Sequence, residues 1–375
     1  MKIRKAFLSL ALCLLLVMPG IPAAFAEAAE EPDFCVTGTV VEIEKYGHLR
    51  LSVSIEEFEH AGFRLGDIVT VTTENYSGDM PYFNGYYVEK GEYLVLAYPG
   101  KEYIAVCINY GNFSEINGVK VGDVVTITMK EAAGALAEQE ISNLVYSTDR
   151  SDYSLDMVFS NFRPIVMGDL AEGVLYRSAS PVNNFYNRAS YANELAEIAK
   201  IRSVMNLADT DDEILSYFEE DSFCSDYYRK LYEDGQVIAL GMPITFDTPE
   251  FAQGIVRGLT FLSEQEPPYL VHCTEGKDRA GFAAMVLEAI TGASPEEIIA
   301  DYMKSYANYY DIEPGTEKYN MIIEKNISHM LPIIAGTDDF TGVDLAAATE
   351  AYLIDNGMAP EALNALKGKL TGACS

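Results

Sequence analysis

The stretch His272-Cys273-Thr274-Glu275-Gly276-Lys277-Asp278-Arg279-Ala280-Gly281 places five residues, one of them a glycine, between a cysteine and an arginine. Apolar residues precede it and a small-residue, apolar run follows, so the pattern is strand, tight loop, helix. Such a loop turns its backbone N–H groups inward, and the helix start adds positive potential, making a nest for an anion. The planar fork of Arg279 suits two oxygens of a phosphate. The same field favours ionisation of a thiol at the loop's base, which makes Cys273 a candidate nucleophile. Gly276 supplies the positive φ that the ring requires. The expected phosphate site is therefore Thr274, Glu275, Gly276, Lys277, Asp278 and Arg279. Loop and arginine provide the positive charge, so neither a metal nor another cofactor is expected.

The elements that must hold this loop can be read around it. "PYLVHC" is a buried strand, and "RAGFAAMVLEAITG" a helix closed by Gly292. Residues 248–265 form an amphipathic helix with a Thr/Pro start. Residues 191–201 read as helix, 202–209 as strand, and 294–310 as a helix opened by Ser-Pro-Glu-Glu. Two further helices close the chain. Strands alternating with helices over 151–375 predict an α/β domain, a mainly parallel sheet flanked by helices.

Upstream the period changes. From 35 to 129 short Val/Ile/Thr-rich strands are split by Gly and Pro. "VVEIEKYGHLRLSVS" reads as a hairpin, and "LGDIVTVT" (65–72) is nearly repeated by "VGDVVTIT" (121–128). A small all-β barrel or sandwich is expected there. Residues 130–141 are Ala- and Glu-rich, so 130–150 reads as a helical linker.

With 375 residues, 49 % hydrophobic, the chain is long enough for two cores. The formal charge of −31 repels nucleic acid and anionic head groups. Residues 1–26 combine Lys2, Arg4 and Lys5 with an apolar centre and Ala24-Phe25-Ala26, a signal-peptide pattern. This predicts an exported protein (secreted, cell envelope or periplasm) without stable membrane insertion. Residues 27–34 read as a flexible leader. Cys13 leaves with the signal, and Cys35, Cys107, Cys224, Cys273 and Cys374 remain: an odd set with one unpaired thiol, two disulfides or none.

The loop HCTEGKDRAG resembles the signature of cysteine-dependent protein tyrosine phosphatases, above all bacterial tyrosine phosphatases whose loop reads HCxxGKDRTG. "NFR…GVLYRSASP" (161–181), "IRSVMNLADTDDE" (201–213) and the C-terminal "AYLIDNGMAPEALNALKGKL" extend the likeness over 151–370. It implies a phosphomonoesterase for phosphotyrosine-type substrates in proteins, peptides or small molecules, with a cysteinyl-phosphate on Cys273 and Arg279 as clamp. His272 would orient the thiolate. The general acid would be Asp278 inside the loop, or Asp247 on a separate loop, whose alternative role is to cap the helix that follows. Lys277 is shared with phosphatases that act on phosphoinositides, so an inositol phosphate substrate stands as an alternative. A phosphate-binding pseudophosphatase stands as another. The chain departs from the family twice. Ala280 replaces the usual Ser or Thr after the arginine, and Asn206-Leu207-Ala208 stands where Asp-Leu-Arg is frequent. Asp209, Asp211 and Asp212 nearby read mostly as solvated loop charges. Residues 35–129 resemble the C-terminal β-barrel domain of S-adenosylmethionine hydroxide adenosyltransferases, which implies a fold and no activity.

Overall fold

The computed structural model describes residues 34–373. The signal-peptide reading of 1–26 and Cys374 lie outside the described residues.

Seven strands close into a barrel: β1 (Cys35–Ile43), β2 (Leu49–Ser54), β3 (Ile68–Thr72), β4 (Ser77–Phe83), β5 (Tyr93–Leu96), β6 (Tyr103–Ile108) and β7 (Val124–Glu131), in the order β1-β2-β6-β5-β4-β3-β7. Alternate residues such as Val69, Val71, Val125 and Ile127 point inward and are buried, as period-2 patterning requires. The two near-repeats are neighbours. Thr70 faces Thr128 and Thr72 faces Thr126 across an antiparallel ladder. Each strand is entered through a glycine in the left-handed region, Gly66 at φ +92° and Gly122 at φ +96°. The following aspartate locks each turn: Asp67 accepts from Arg64 N–H at 2.6 Å and Asp123 from Lys120 N–H at 2.7 Å.

The segment expected as a helical linker is only partly helical. Lys130 and Glu131 continue β7, and the helix spans Leu136–Ser142. Its Gln139 exchanges hydrogen bonds with Asn84 of the barrel. Beyond it, residues 144–149 run without regular structure.

The second unit holds β8 (Arg163–Pro164), β9 (Leu175–Ser178), β10 (Ser203–Asn206), β11 (Val237–Ala239) and β12 (Tyr269–His272), ordered β11-β10-β12-β9-β8. All neighbours are parallel except β8 with β9. β12 is central, and its four residues are buried. Tyr269 and Val271 face the core built on the helices Pro249–Glu264 and Asp278–Ile290, while Leu270 faces Ile201, Ile214 and Tyr228 on the other side. The Asp278–Ile290 helix is buried on all sides from Ala280 onward, which is why its sequence shows no polar stripe. The Pro295–Tyr310 helix starts with the expected capping box, Ser294 with Glu297. Helices at Glu317–Ile322 and Ser328–Ala335 had no distinct sequence signal.

None of Cys35, Cys107, Cys224 and Cys273 is in a disulfide. No helix among the described residues is long and apolar enough to cross a membrane. No group of three or more His, Cys, Asp or Glu among them is gathered as a metal site would need.

Candidate active site

Cys273 sits at the carboxyl end of the central strand, where ligands gather in open α/β sheets. Between it and the Asp278–Ile290 helix, three carbonyl oxygens of the loop are held from outside. Tyr309 donates its hydroxyl to Glu275 O at 2.7 Å. Arg177 donates to Gly276 O through Nε at 3.2 Å and Nη2 at 2.9 Å, and to Lys277 O through Nη2 at 2.8 Å. Asn161 Nδ2 lies 3.3 and 3.2 Å from Glu275 O and Gly276 O. In a planar trans peptide the N–H points opposite to the C=O. The amides of Gly276, Lys277 and Asp278 are thereby directed away from these outside partners, as an anion nest requires. Gly276 has φ +69°, and a Cβ there would lie 2.2 Å from the Ser178 carbonyl.

The grip is itself anchored by charge. Asp301 receives Arg177 Nη1 at 2.5 Å and Arg163 Nε at 2.9 Å. Arg163 Nη1 also donates to Asn161 Oδ1 at 2.7 Å. All are buried. Burial pushes the Asp301 carboxyl up, but the two guanidiniums outweigh it and hold it down at about 2. The stretches "NFR" and "LYRS" thus supply the loop's support. Asp301 and Tyr309 had no sequence signal beyond one helix pattern, because their role depends on which face of that helix meets the loop.

Arg279 is fixed by two hydrogen bonds. Nη1 donates to Met242 O at 2.8 Å and Nη2 to Thr274 Oγ1 at 3.1 Å, while the buried Nε has no partner. Cys273 is buried. Among the described residues no side chain hydrogen-bonds to its sulfur, and Ala280, fully buried, has no hydroxyl to offer.

Glu275, Lys277 and Asp278 form a charged cluster on one shoulder. Lys277 Nζ lies 3.2 Å from Glu275 Oε2 and 3.8 Å from Asp278 Oδ2, and over the rings of Tyr306 and Tyr310 at 5.3 and 5.6 Å. Burial pulls its pKa down, yet Asp278, Tyr306, Glu275 and Tyr310 together raise it. Tyr302 donates to Asp278 Oδ1 at 3.2 Å. Asp247 is exposed in the turn before the Pro249–Glu264 helix. It does not cap that helix. Thr248 does, accepting from Phe251 N–H. Its neighbour Phe246 stacks on Phe282 at 5.6 Å, which ties this turn to the loop helix.

His272 is fully buried with no partner for either ring nitrogen. Its ring meets Tyr228 edge-on at 5.7 Å, and burial lowers its pKa to about 4. The imidazole is neutral and makes no hydrogen bond to the thiol. Asp209, expected among the solvated charges, is buried. It accepts from Asn206 Nδ2 at 3.0 Å and Tyr217 at 3.2 Å, while Asp211 and Asp212 are exposed at a helix start. Asn206 also accepts the Ala208 and Asp209 amides, so it shapes this turn. An aromatic cluster that sequence reading missed packs beside Glu275: Tyr146 contacts Tyr186, Tyr309 and Tyr310, and Tyr186 contacts Phe185.

Parts of the chain are similar to known proteins. The chain is 30 % identical over 147 residues to the triple specificity protein phosphatase PtpB of Mycobacterium tuberculosis, covering 34 % of this chain and 52 % of that protein. Over 36 residues it is 53 % identical to a Cupriavidus necator protein provisionally named tyrosine-protein phosphatase, covering 10 % of this chain and 13 % of that one. The chain therefore spans about half or less of the curated relatives it matches. The core catalytic domain of the PP-IP phosphatase SIW14 from S. cerevisiae matches 47 % of this chain and 91 % of its own, with TM-score 0.27 and 20 % identity. The profile of the tyrosine phosphatase family matches residues 167–371, more than half of the sequence, and the chain belongs to that family.

Proposed function

We propose that the protein is an exported phosphomonoesterase that hydrolyses phosphotyrosine-type substrates through a cysteinyl-phosphate. The observation that carries this reading is the outward grip of Arg177, Asn161 and Tyr309 on the loop carbonyls, which leaves an inward nest beside Cys273 and the free Nε of Arg279. In the first step the Cys273 thiolate attacks phosphorus. The S–P bond forms, the P–O bond to the leaving group breaks, and an aspartate protonates the departing oxygen. In the second, water attacks phosphorus, its proton passes to that aspartate, and the S–P bond breaks. Charge on the three equatorial oxygens is met by the loop amides and Arg279 throughout.

The aromatic cluster beside Glu275 supports a flat aryl phosphate as substrate. Lys277, the residue that suggested inositol phosphates, spends its charge on Glu275 and Asp278. The test is turnover of p-nitrophenyl phosphate in EDTA, followed by a direct comparison of a phosphotyrosine peptide with a phosphoinositide. Cys273→Ser should abolish turnover and keep phosphate binding, because a hydroxyl ionises far less readily than a thiol. Residual turnover above about one hundredth of wild type would exclude the covalent route. No turnover with intact phosphate binding would instead mark a pseudophosphatase.

A further inference from the structure

Glu275 is an awkward residue for a phosphate loop, because a free carboxylate at the rim repels a phosphate dianion. Here it is not free. One oxygen accepts the Tyr146 hydroxyl and the other pairs with Lys277 Nζ at 3.2 Å. Tyr146 belongs to the extended segment between the barrel and the phosphatase unit, outside the family-matched residues 167–371.

That segment is fastened at both ends. On the barrel side, Asn143 donates to Asn84 Oδ1 at 3.2 Å and accepts from Tyr87 at 3.3 Å. At the loop, the Tyr146 ring stacks on Tyr309 at 5.1 Å, meets Tyr310 edge-on at 5.5 Å, and lies under the Arg188 guanidinium at 4.6 Å. Arg188 is buried, and its Nε donates to Phe159 O at 2.7 Å, so this platform is rigid. Burial and the adjoining Glu275 carboxylate push the Tyr146 phenol far up, which keeps it a donor at every working pH.

We infer that Tyr146 is a positioning residue of the phosphate loop: it holds the Glu275 carboxylate against Lys277 and away from the bound phosphate, so the interdomain segment sets the loop's affinity for a phosphate dianion. Without the hydroxyl, Glu275 keeps only Lys277, whose charge it shares with Asp278, and turns toward the mouth. The cost falls on binding of the dianion, since Cys273, Arg279 and the loop amides are untouched. The inference rests on the phosphatase reading for its kinetic consequences, and on the anion nest alone for its binding consequences.

The experiment uses the full chain as wild type, Tyr146→Phe, Glu275→Gln and the double variant. Two quantities are read: kcat and KM for p-nitrophenyl phosphate, and the Kd of inorganic phosphate by calorimetry. Phenylalanine keeps the ring stacking, and thermal unfolding checks that it does. Tyr146→Phe should raise KM and the phosphate Kd together by about tenfold, the scale of one lost hydrogen bond to a charge, with kcat nearly unchanged. Glu275→Gln should cancel the defect, so the double variant binds phosphate as Glu275→Gln does. Equal Kd in wild type and Tyr146→Phe, a loss confined to kcat, or a double variant as weak as Tyr146→Phe would each overturn the inference. A wild type that binds phosphate without turnover would sink the phosphatase reading alone, and the Kd series would still decide the role of Tyr146. A wild type that does not bind phosphate would sink both.

Discussion

Arg177, the third residue of β9, reaches behind the phosphate loop and donates two hydrogen bonds to the carbonyl oxygen of Gly276. It is fully buried, and its remaining donors go to Lys277 O and Asp301. One planar guanidinium thus ties two loop carbonyls to one buried carboxylate. A lysine ammonium keeps the charge but lacks the fork. Arg177→Lys is expected to cost about 2–4 kcal/mol of stability, below the full loss of a buried partner. It should also lower kcat/KM about a hundredfold, because a displacement near 1 Å in the loop is that costly. Urea unfolding and steady-state kinetics on one preparation test this; unchanged kcat/KM would show that the carbonyl grip does not shape the nest.

The two candidate acids have opposite environments, and leaving-group dependence separates them. Asp278 is within the loop cluster, held by Tyr302 and near Lys277, whereas Asp247 is exposed in the turn before the Pro249–Glu264 helix. Asp278→Asn should slow a poor alkyl-type leaving group more than p-nitrophenyl phosphate, whose leaving group needs little protonation. If only Asp247→Asn shows that pattern, the turn before that helix supplies the acid.

Ala280 leaves the sulfur without the hydroxyl donor that the resemblance leads one to expect. A hydrogen bond to a charged group is worth about 1.5–3 kcal/mol, so breakdown of the cysteinyl-phosphate should be slower by roughly ten- to a hundredfold. Rapid mixing should show a burst of product and then a lower steady rate. Ala280 has no exposed surface, so Ala280→Thr adds a methyl group as well as the hydroxyl to a closed site and risks an overpacking cost of about 1–3 kcal/mol. Ala280→Ser is the cleaner variant. It should raise the steady rate and shrink the burst, and a linear time course in both proteins would show that the missing hydroxyl costs nothing at that step.

His272 makes stability depend on acid. Burial lowers its pKa from 6.5 to about 4 in the folded chain. Below pH 6.5 the unfolded chain takes up a proton that the folded chain refuses until about pH 4. The stability that the neutral imidazole allows is therefore complete above pH 6.5 and is lost as the pH falls from 6.5 to about 4, by about 3 kcal/mol in total. Urea midpoints across that window should fall steeply in wild type and less steeply in His272→Phe, which keeps an edge-on ring against Tyr228 without titrating. Parallel profiles would show that the imidazole is not the group responsible.

The sequence by itself determined the strand, tight loop and helix around Cys273. Cys273, Gly276 and Arg279 lie within seven residues, and a tight turn between a strand and a helix needs only that spacing to form a nest. Strand β12, the loop helix and the Thr248 and Ser294 caps were legible for the same reason, since periodicity and caps act over a few residues. The Gly-Asp repeats announced two strands, but only closure of the barrel made them neighbours.

What the tertiary structure decided is how the loop is held and what its charges do. Arg177 meets Gly276 across 99 residues and Tyr146 meets Glu275 across 129. Lys277 reads in the sequence as a cation free for substrate, and folding spends it on Glu275 and Asp278. Asp209 reads as a surface charge, and folding buries it against Asn206 and Tyr217. These pairings leave no periodic trace along the chain. They follow from which helix faces the packed core leaves against the loop, and close packing fixes that choice only once the whole sheet and its helices are assembled.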